Sequence, residues 1–137
     1  MPDVEIIWAQ KLQFVGTDSS QHAIVLSSSD EENGTGVKPS DLLLLALGGC
    51  TAVDIVEILR KKRQELTGLT IRVSGEQDAD PPWTFRRIHT IYEVRGHELS
   101  EKAVEHAVTL SEEKYCSVKA TLEGQVELTR EVRIVES

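Results

Sequence analysis

Residues 39–50 have the sequence PSDLLLLALGGC, and the apolar character continues to Leu59. Proline suits the first turn of a helix, and Ser40 or Asp41 can cap the free backbone N–H groups there. From Leu42 onwards apolar residues cover nearly the whole circumference of the predicted helix, which is typical of a helix enclosed on most sides. A chain of 137 residues has little room to enclose such a helix. We therefore expect a second subunit to supply part of the cover, in a homodimer.

The same stretch is almost long enough to cross a lipid bilayer. It contains Asp54 and Glu57, however, and charged side chains are costly at membrane depth. We therefore predict a buried helix in a soluble protein and expect no membrane partner. The sequence does not open with a basic segment followed by an apolar one. On that ground we expect no signal peptide and a cytoplasmic location.

Segments with strand character flank this helix on both sides. They are rich in branched or aromatic residues, or they alternate apolar and polar positions. The predicted strands are Val4–Trp8, Leu12–Gly16, His22–Leu26, Leu69–Val73, Trp83–Val94 and Val126–Val135. Residues 118–122 also have strand character, a second helix is expected after its cap Ser100, and Gly124 is expected to turn the chain. The pattern argues for an α+β fold in a single domain, residues 1–137.

Two glycines lie inside the first helix. Gly48 and Gly49 weaken a helix by about 1 kcal/mol each relative to alanine, so we expect a break or bend just before Cys50. A helix restarting there would lower the pKa of the Cys50 thiol through its free N–H groups and its dipole. Asp54, one turn further on, would raise that pKa. The alternative is that these small residues let two helices pack closely. Gly68 is expected to end the helix.

Composition and motifs exclude several classes of function. The chain is 39% apolar and 28% charged, which is typical of a globular protein, and its formal net charge is −8. This acidic balance argues against a nucleic-acid partner. The sequence has no Walker loop, dinucleotide fingerprint or nucleophile elbow. The histidines are scattered in the sequence, at His22, His89, His97 and His106. We therefore expect neither a metal nor a cofactor.

Cys50 and Cys116 are the only two cysteines of the chain. Neither belongs to a CxxC motif, which argues against a thioredoxin-type dithiol and against a ribbon-type zinc site. Three interpretations follow from the residues alone. The cysteines are buried packing residues, or unrelated surface thiols, or a pair that meets in the fold and performs redox chemistry.

Both cysteines lie in motifs that resemble a known family. The stretch from Pro39 to Cys50 resembles the first-cysteine motif of the OsmC/Ohr family, the osmotically inducible and organic hydroperoxide resistance proteins. Tyr115-Cys116-Ser117-Val118 resembles the second-cysteine motif of that family. The order of predicted strands and helices fits the family over nearly the whole chain. The resemblance is strongest to the YhfA-type subgroup.

The resemblance implies an OsmC-like fold, with antiparallel sheets packed around a long buried central helix in an intertwined homodimer. It also implies thiol-dependent reduction of organic hydroperoxides, in defence against oxidative stress. In such a mechanism Cys50 is the peroxidatic thiolate and Cys116 is the resolving thiol. The sulfenic acid formed at Cys50 condenses with Cys116 to a disulfide, which a dithiol reductant then reduces. The implied partners are a second copy of the chain, a small hydroperoxide or other ligand, and that reductant.

Two positions depart from the family pattern. The peroxidases of the family carry an arginine in the N-terminal strand region, whereas no arginine precedes Arg60 here. They also carry a glutamate ten residues before the first cysteine, and this position is Ser40. Lysine, as at Lys11 and Lys38, offers a point charge without the bidentate fork of arginine. Two classes of function therefore stay open: a cysteine-based peroxidase of low or atypical activity, and a non-catalytic ligand-binding or redox-sensing relative.

Overall fold

The chain has an α+β arrangement, in which groups of strands are separated by helical segments. The structure, a computed structural model, describes residues Asp3–Ser137. The elements are β1 (Glu5–Gln10), β2 (Gln13–Thr17), β3 (Ala23–Ser27), α1 (Pro39–Lys61), β4 (Glu65–Gln77), β5 (Phe85–His97), α2 (Glu101–Leu110), a single π-helical turn (Ser111–Tyr115), α3 (Ser117–Leu122) and β6 (Glu127–Glu136). They fall into two units, one ending at Leu43 and one beginning at Leu44. The single domain predicted from chain length stays a prediction.

The first unit contains an antiparallel three-stranded sheet in the order β1-β2-β3. Phe14 at its centre pairs with Trp8 of β1 and with Leu26 of β3. All three strands lie within one or two residues of the predicted segments, because branched and aromatic residues at alternating positions favour extended backbone. Ile6, Ile7 and Trp8 of β1 are exposed.

The second unit contains a three-stranded sheet in the order β4-β5-β6. β4 and β5 form a long antiparallel pair, but β5 and β6 run parallel. The expectation of purely antiparallel sheets was therefore wrong for this sheet. Parallel neighbours need a crossover connection, and here α2, the π-turn and α3 provide it. That crossover carries Cys116.

Helix α1 is continuous through its two glycines, so the predicted break before Cys50 was wrong. Gly48 is buried because it lies against β4: a Cβ atom there would be 3.0 Å from Val73 Cγ2 and 3.5 Å from Ile71 Cγ2. A Cβ on Gly49 would meet nothing within 4 Å. The alternative interpretation was that the glycines are small so that two helices can pack closely. Gly48 does allow close packing, but its neighbour is strand β4 and not a helix.

The helix ends at Lys61, seven residues before the predicted Gly68. Arg63 has φ 57°, its N–H donates to the Arg60 carbonyl, and the Gln64 N–H donates to the Leu59 carbonyl. This pair of hydrogen bonds around a left-handed residue is a Schellman motif. Gly68 instead lies within β4.

Only one face of α1 is covered within the described chain. Leu47, Thr51, Ile55 and Leu59 are buried on this face, and the last two belong to a core with Tyr92, Val94, Val104, Ala107 and Val108. By contrast, Leu45 is 59% exposed and Val53 70% exposed. The central helix predicted to be buried is therefore half-covered. By length and composition alone it could cross a membrane, but its buried face packs on the sheet as the core helix of a soluble protein does.

The segment after Cys116 is helical, although its apolar residues have strand character. Ser100 caps α2 as predicted, by accepting a hydrogen bond from the Ala103 N–H. Residues 117–122 then form α3, and Gly124 turns the chain with φ 86°. A six-residue helix is too short to show a periodicity that distinguishes it from a strand, so position in the crossover decides its conformation.

Candidate functional site

The structure brings Cys50 and Cys116 into one apolar cluster in the second unit. Cys116 is 3% exposed and is buried with Leu47 and Ile88, and the half-buried Cys50 packs against this cluster. Both cysteines are free thiols. The side chains that complete the cluster are apolar: Leu44, Val73, Phe85, Val118, Leu122, Val126 and Leu128.

Cys116 occupies the N-cap position of α3. Its backbone is extended, with φ −89° and ψ 102°, and its sulfur accepts a hydrogen bond from the Lys119 N–H at 3.3 Å. The first N–H groups of a helix have no partner within the helix. The N–H groups of Ser117 and Val118, together with the Ser117 hydroxyl, act on the neighbouring Cys50 thiol and lower its pKa. Cys50 itself lies in the middle of α1, whereas we expected it at the start of a helix segment. The N–H groups that lower its pKa belong to α3.

These contacts give the two thiols different pKa values. Burial, the largest single influence, acts to raise the pKa of Cys50. Hydrogen bonds from the Cys116 thiol, Val118 and Ser117 together outweigh it and hold that pKa below its ordinary value. For Cys116, burial and then the neighbouring Cys50 raise the pKa to about 11. Cys50 is thus the thiol that loses its proton first, and Cys116 keeps its proton and donates it as a hydrogen bond.

The charged residues weighed in the sequence do not set the acidity of Cys50. The groups that act on its pKa lie on residues 116–118, and Asp54 is not among them. Arg86 and Arg87 are held by other carboxylates, at 2.8 Å from Asp78 and 3.1 Å from Glu127. In the first unit Lys11 forms an ion pair with Glu32 at 3.0 Å. Backbone and hydroxyl donors, rather than a cation, stabilise the Cys50 thiolate.

Sequence reasoning missed the donors on Ser117 and Val118. The strand character of residues 118–122 predicts an extended segment, in which consecutive N–H groups point in opposite directions and do not converge on one sulfur. A helix prediction for this stretch would have marked Cys116 as its N-cap, because a cap residue directly precedes the first free N–H groups. Sequence reasoning also missed a buried polar cluster around Thr51 and Glu112.

Three of the four histidines contact a hydroxyl or a carboxylate. His89 Nδ1 contacts Thr129 Oγ1 at 2.7 Å, His97 contacts Glu136 at 3.0 Å, and His22 contacts Ser20 at 2.9 Å. Within residues 3–137 no group of three or more His, Cys, Asp or Glu side chains is arranged to hold a metal ion. The chemistry available at the cluster is that of the two thiols.

The chain belongs to the family described as OsmC-like protein, whose model matches residues 31–131. It is 35% identical over 128 residues to Protein YhfA of Escherichia coli strain K12. The aligned stretch covers 93% of this chain and 94% of YhfA. Among solved structures it is similar to a hypothetical protein from Aquifex aeolicus VF5, with 31% identity, a TM-score of 0.88 and coverage of 100% of this chain and 98% of that one.

The fold also extends to more distant structures. The organic hydroperoxide resistance protein OhrB of Bacillus subtilis is 15% identical, with a TM-score of 0.63 and coverage of 97% of this chain and 98% of OhrB. The resemblance to the OsmC/Ohr family, including its YhfA-type members, is thereby confirmed, and so is the α+β OsmC-like fold. The catalytic roles of Cys50 and Cys116 stay a prediction.

Proposed function

We propose that this protein reduces organic hydroperoxides with Cys50 as the peroxidatic thiolate and Cys116 as the resolving thiol. The observation that carries the proposal is the ordering of the two thiols. Four donors at residues 116–118 favour negative charge on Cys50, while Cys116 stays protonated beside it. A nucleophilic thiolate next to a protonated partner is the arrangement that a two-cysteine peroxide reduction needs.

The reaction balances with these two residues and a dithiol. The Cys50 thiolate attacks the outer peroxide oxygen, the O–O bond breaks, and the leaving alkoxide takes a proton to become the alcohol. Cys50 is then a sulfenic acid. The Cys116 sulfur displaces its hydroxyl, which leaves as water with the Cys116 proton, and an S–S bond forms. A dithiol reductant exchanges with this disulfide, becomes a disulfide itself, and returns both protons to the protein.

The surroundings of the thiols favour an organic substrate over hydrogen peroxide. Leu44, Leu47, Phe85 and Ile88 place an apolar environment around the pair, and such an environment is better matched to an alkyl or aryl group than to water-like peroxide. The printed name of the structurally similar OhrB refers to organic hydroperoxide resistance. Both points support a role in oxidative-stress defence, for which we propose a cytoplasmic location.

The missing arginine favours a second candidate function. No arginine precedes Arg60, and the donors at residues 116–118 stabilise the thiolate without supplying a cation to polarise the peroxide. Catalysis would lose the charge-assisted alignment that such a clamp provides. The alternative is a non-catalytic relative that senses redox state, or binds a small ligand, through the same thiol pair.

Stopped-flow reduction of cumene hydroperoxide separates the two candidates. We expect the reduced protein to consume one equivalent per subunit while two thiols are lost, and to react more slowly with hydrogen peroxide. A Cys50→Ser variant serves as the control. If the wild-type protein consumes no more hydroperoxide than this variant, the peroxidase is excluded and the sensing or binding function stands.

A further inference from the structure

Ser111 ties the segment that carries Cys116 to the helix that carries Cys50. Its Oγ donates a hydrogen bond to the Thr51 carbonyl oxygen at 3.0 Å, and both residues are fully buried. Thr51 directly follows Cys50 in α1, and Ser111 begins the π-turn that leads to Cys116. Because this hydrogen bond ends on a carbonyl in the middle of α1, it fixes the position of the π-turn along that helix.

Glu112 makes a second and longer connection. Arg130 Nη1 of β6 donates to Glu112 Oε1 at 3.2 Å, and the Tyr92 hydroxyl of β5 lies 3.4 Å from Oε2. The same hydroxyl lies 3.4 Å from Thr51 Oγ1. A chain of polar contacts thus runs from the exposed Arg130 through the buried residues Glu112 and Tyr92 to Thr51. Arg130 is itself fixed by Thr109 Oγ1 at 2.9 Å.

This arrangement does more than fill space. Glu112 is the buried member of its ion pair with Arg130. Burying a charge is costly, and such a pair is often no more stabilising than apolar side chains of the same volume, so stability alone does not account for Glu112. Its geometry is specific, because a carboxylate with partners on two different strands fixes its own position. Within the π-turn the consecutive residues Ser111 and Glu112 are both buried. Single π-helical turns occur often at functional sites.

We propose that Glu112, held by Arg130, is a positioning residue for the thiol pair. The contact chain ends at Thr51, next to Cys50, and Glu112 lies four residues before Cys116. It therefore sets where Cys116 and the donors of residues 117 and 118 lie relative to the Cys50 sulfur. The inference rests on the proposed thiol function and assigns the control of that thiol geometry to a residue that touches neither sulfur.

The first test measures how well the two thiols are placed to join. Reduced protein is equilibrated with glutathione disulfide: the protein dithiol forms one S–S bond, the glutathione S–S bond breaks, and two protons pass to two glutathione thiols. In Glu112→Gln we expect the equilibrium constant to fall about tenfold, the factor expected from losing one hydrogen bond to a charged group. An unchanged constant in that variant would overturn the proposal.

The second test needs no disulfide. The rate of Cys50 alkylation is followed against pH, with peptide mass spectrometry to separate Cys50 from Cys116. When the donors at residues 116–118 move away from Cys50, its titration shifts to higher pH in Glu112→Gln. Arg130→Gln breaks the same link and should act in the same direction, with non-additive effects in the double variant. Additive effects in the double variant, or an unshifted titration, would contradict the proposal.

A matched control removes the effect of lowered stability. Leu69→Ala shortens a half-buried apolar side chain of β4 that packs on the core of the second unit and makes none of the hydrogen bonds of the polar chain. We expect this variant to unfold at lower denaturant concentration and to keep the wild-type equilibrium constant and alkylation profile. If it changes both as Glu112→Gln does, the effect is structural and the positioning role falls. A wild-type protein that fails to consume hydroperoxide overturns the proposed peroxidase only, because both readouts are independent of peroxide.

Discussion

The acidity of Cys50 depends on four hydrogen-bond donors on three consecutive residues, 116–118. Burial alone would keep both thiols protonated, since a charge is costly to hold in an apolar cluster. Hydrogen bonds from residues 116–118 reverse this for Cys50 and leave Cys116 as the protonated partner. The two cysteines are alike in the sequence, and their different pKa values come from the donors that each sulfur meets in the fold.

The two cysteines should respond differently to replacement. Cys50→Ser removes the nucleophile, so we expect no hydroperoxide consumption above background. Cys116→Ser keeps the nucleophile and should allow one oxidation per subunit, after which the sulfenic acid persists or is overoxidised to a sulfinic acid. Intact-protein mass spectrometry after a single addition of peroxide distinguishes these states. A Cys116→Ser variant that is never oxidised would show that the roles are reversed.

Ser117 should tune the acidity of Cys50, the proposed peroxidatic thiol. Its hydroxyl helps to lower the pKa of Cys50, so Ser117→Ala should move the Cys50 alkylation titration to higher pH. The sign follows because a thiol with a lowered pKa reacts at a pH where an unperturbed thiol is still protonated. Below the midpoint, we expect alkylation to slow several-fold, in line with the loss of a hydrogen bond to a charged group.

The control for this variant lies on the same short helix. Thr121 donates to the Ser117 carbonyl oxygen at 2.8 Å and is exposed, and its hydroxyl is not among the groups that act on Cys50. Thr121→Ala should therefore leave the titration of Cys50 in place. Equal shifts in the two variants would mean that α3 frays and that the Ser117 hydroxyl has no specific effect.

At the scale of the element, α1 carries two adjacent glycines with opposite surroundings. Alanine at either position gains about 1 kcal/mol of helix propensity. At Gly48 the new methyl group would be 3.0 Å from Val73 Cγ2, and overpacking of this kind costs about 1–3 kcal/mol. At Gly49 it meets nothing within 4 Å. We expect Gly49→Ala to unfold at higher urea concentration than wild type, and Gly48→Ala to be about 1–3 kcal/mol less stable than Gly49→Ala.

Equal stability of the two alanine variants would mean that Val73 and β4 move aside without cost. Because both substitutions add the same methyl group to the same helix, the comparison isolates the contact with β4. It tests the packing that places Cys50, two residues further along α1, against the cluster around Cys116.

At the scale of the whole molecule, the exposed face of α1 favours a second copy of the chain as its cover. Leu45 and Val53 are large apolar side chains on a helix that is buried only on its other face. We expect a homodimer with an interface above about 2,000 Å², as in obligate dimers. Light scattering at micromolar concentration should give twice the mass of the chain, and a monomer there would contradict the prediction.

A charge placed on that face should separate the subunits. Val53→Glu puts a carboxylate into the expected interface, and burying it without a partner is costly. The variant should therefore dissociate at concentrations where wild type is dimeric. Lys102→Glu, on an exposed position of α2, also alters a surface charge and should leave the mass unchanged. Dissociation of both variants would point to net charge as the cause.

The amino-acid sequence by itself determined the order of the six strands and the two longer helices, the extent of most strands, the cap at Ser100, the turn at Gly124, and the family. These features depend on local patterning: alternation in a strand, a capping side chain before a helix, or the two cysteine motifs. Such signals act over a few residues, so they are legible before any tertiary contact is known.

Tertiary structure decided what local patterning left open. Gly48 and Gly49 are alike in sequence, and only the approach of β4 shows which of them has to be small. Residues 117–122 become a helix because they belong to the crossover between parallel strands, and that conformation directs N–H groups at Cys50. The acidity of Cys50 is a sum of burial and hydrogen bonds from residues distant in sequence. The spacing of residues in the sequence does not specify the pKa of Cys50, because each contribution to it depends on distances that exist only once the chain has folded.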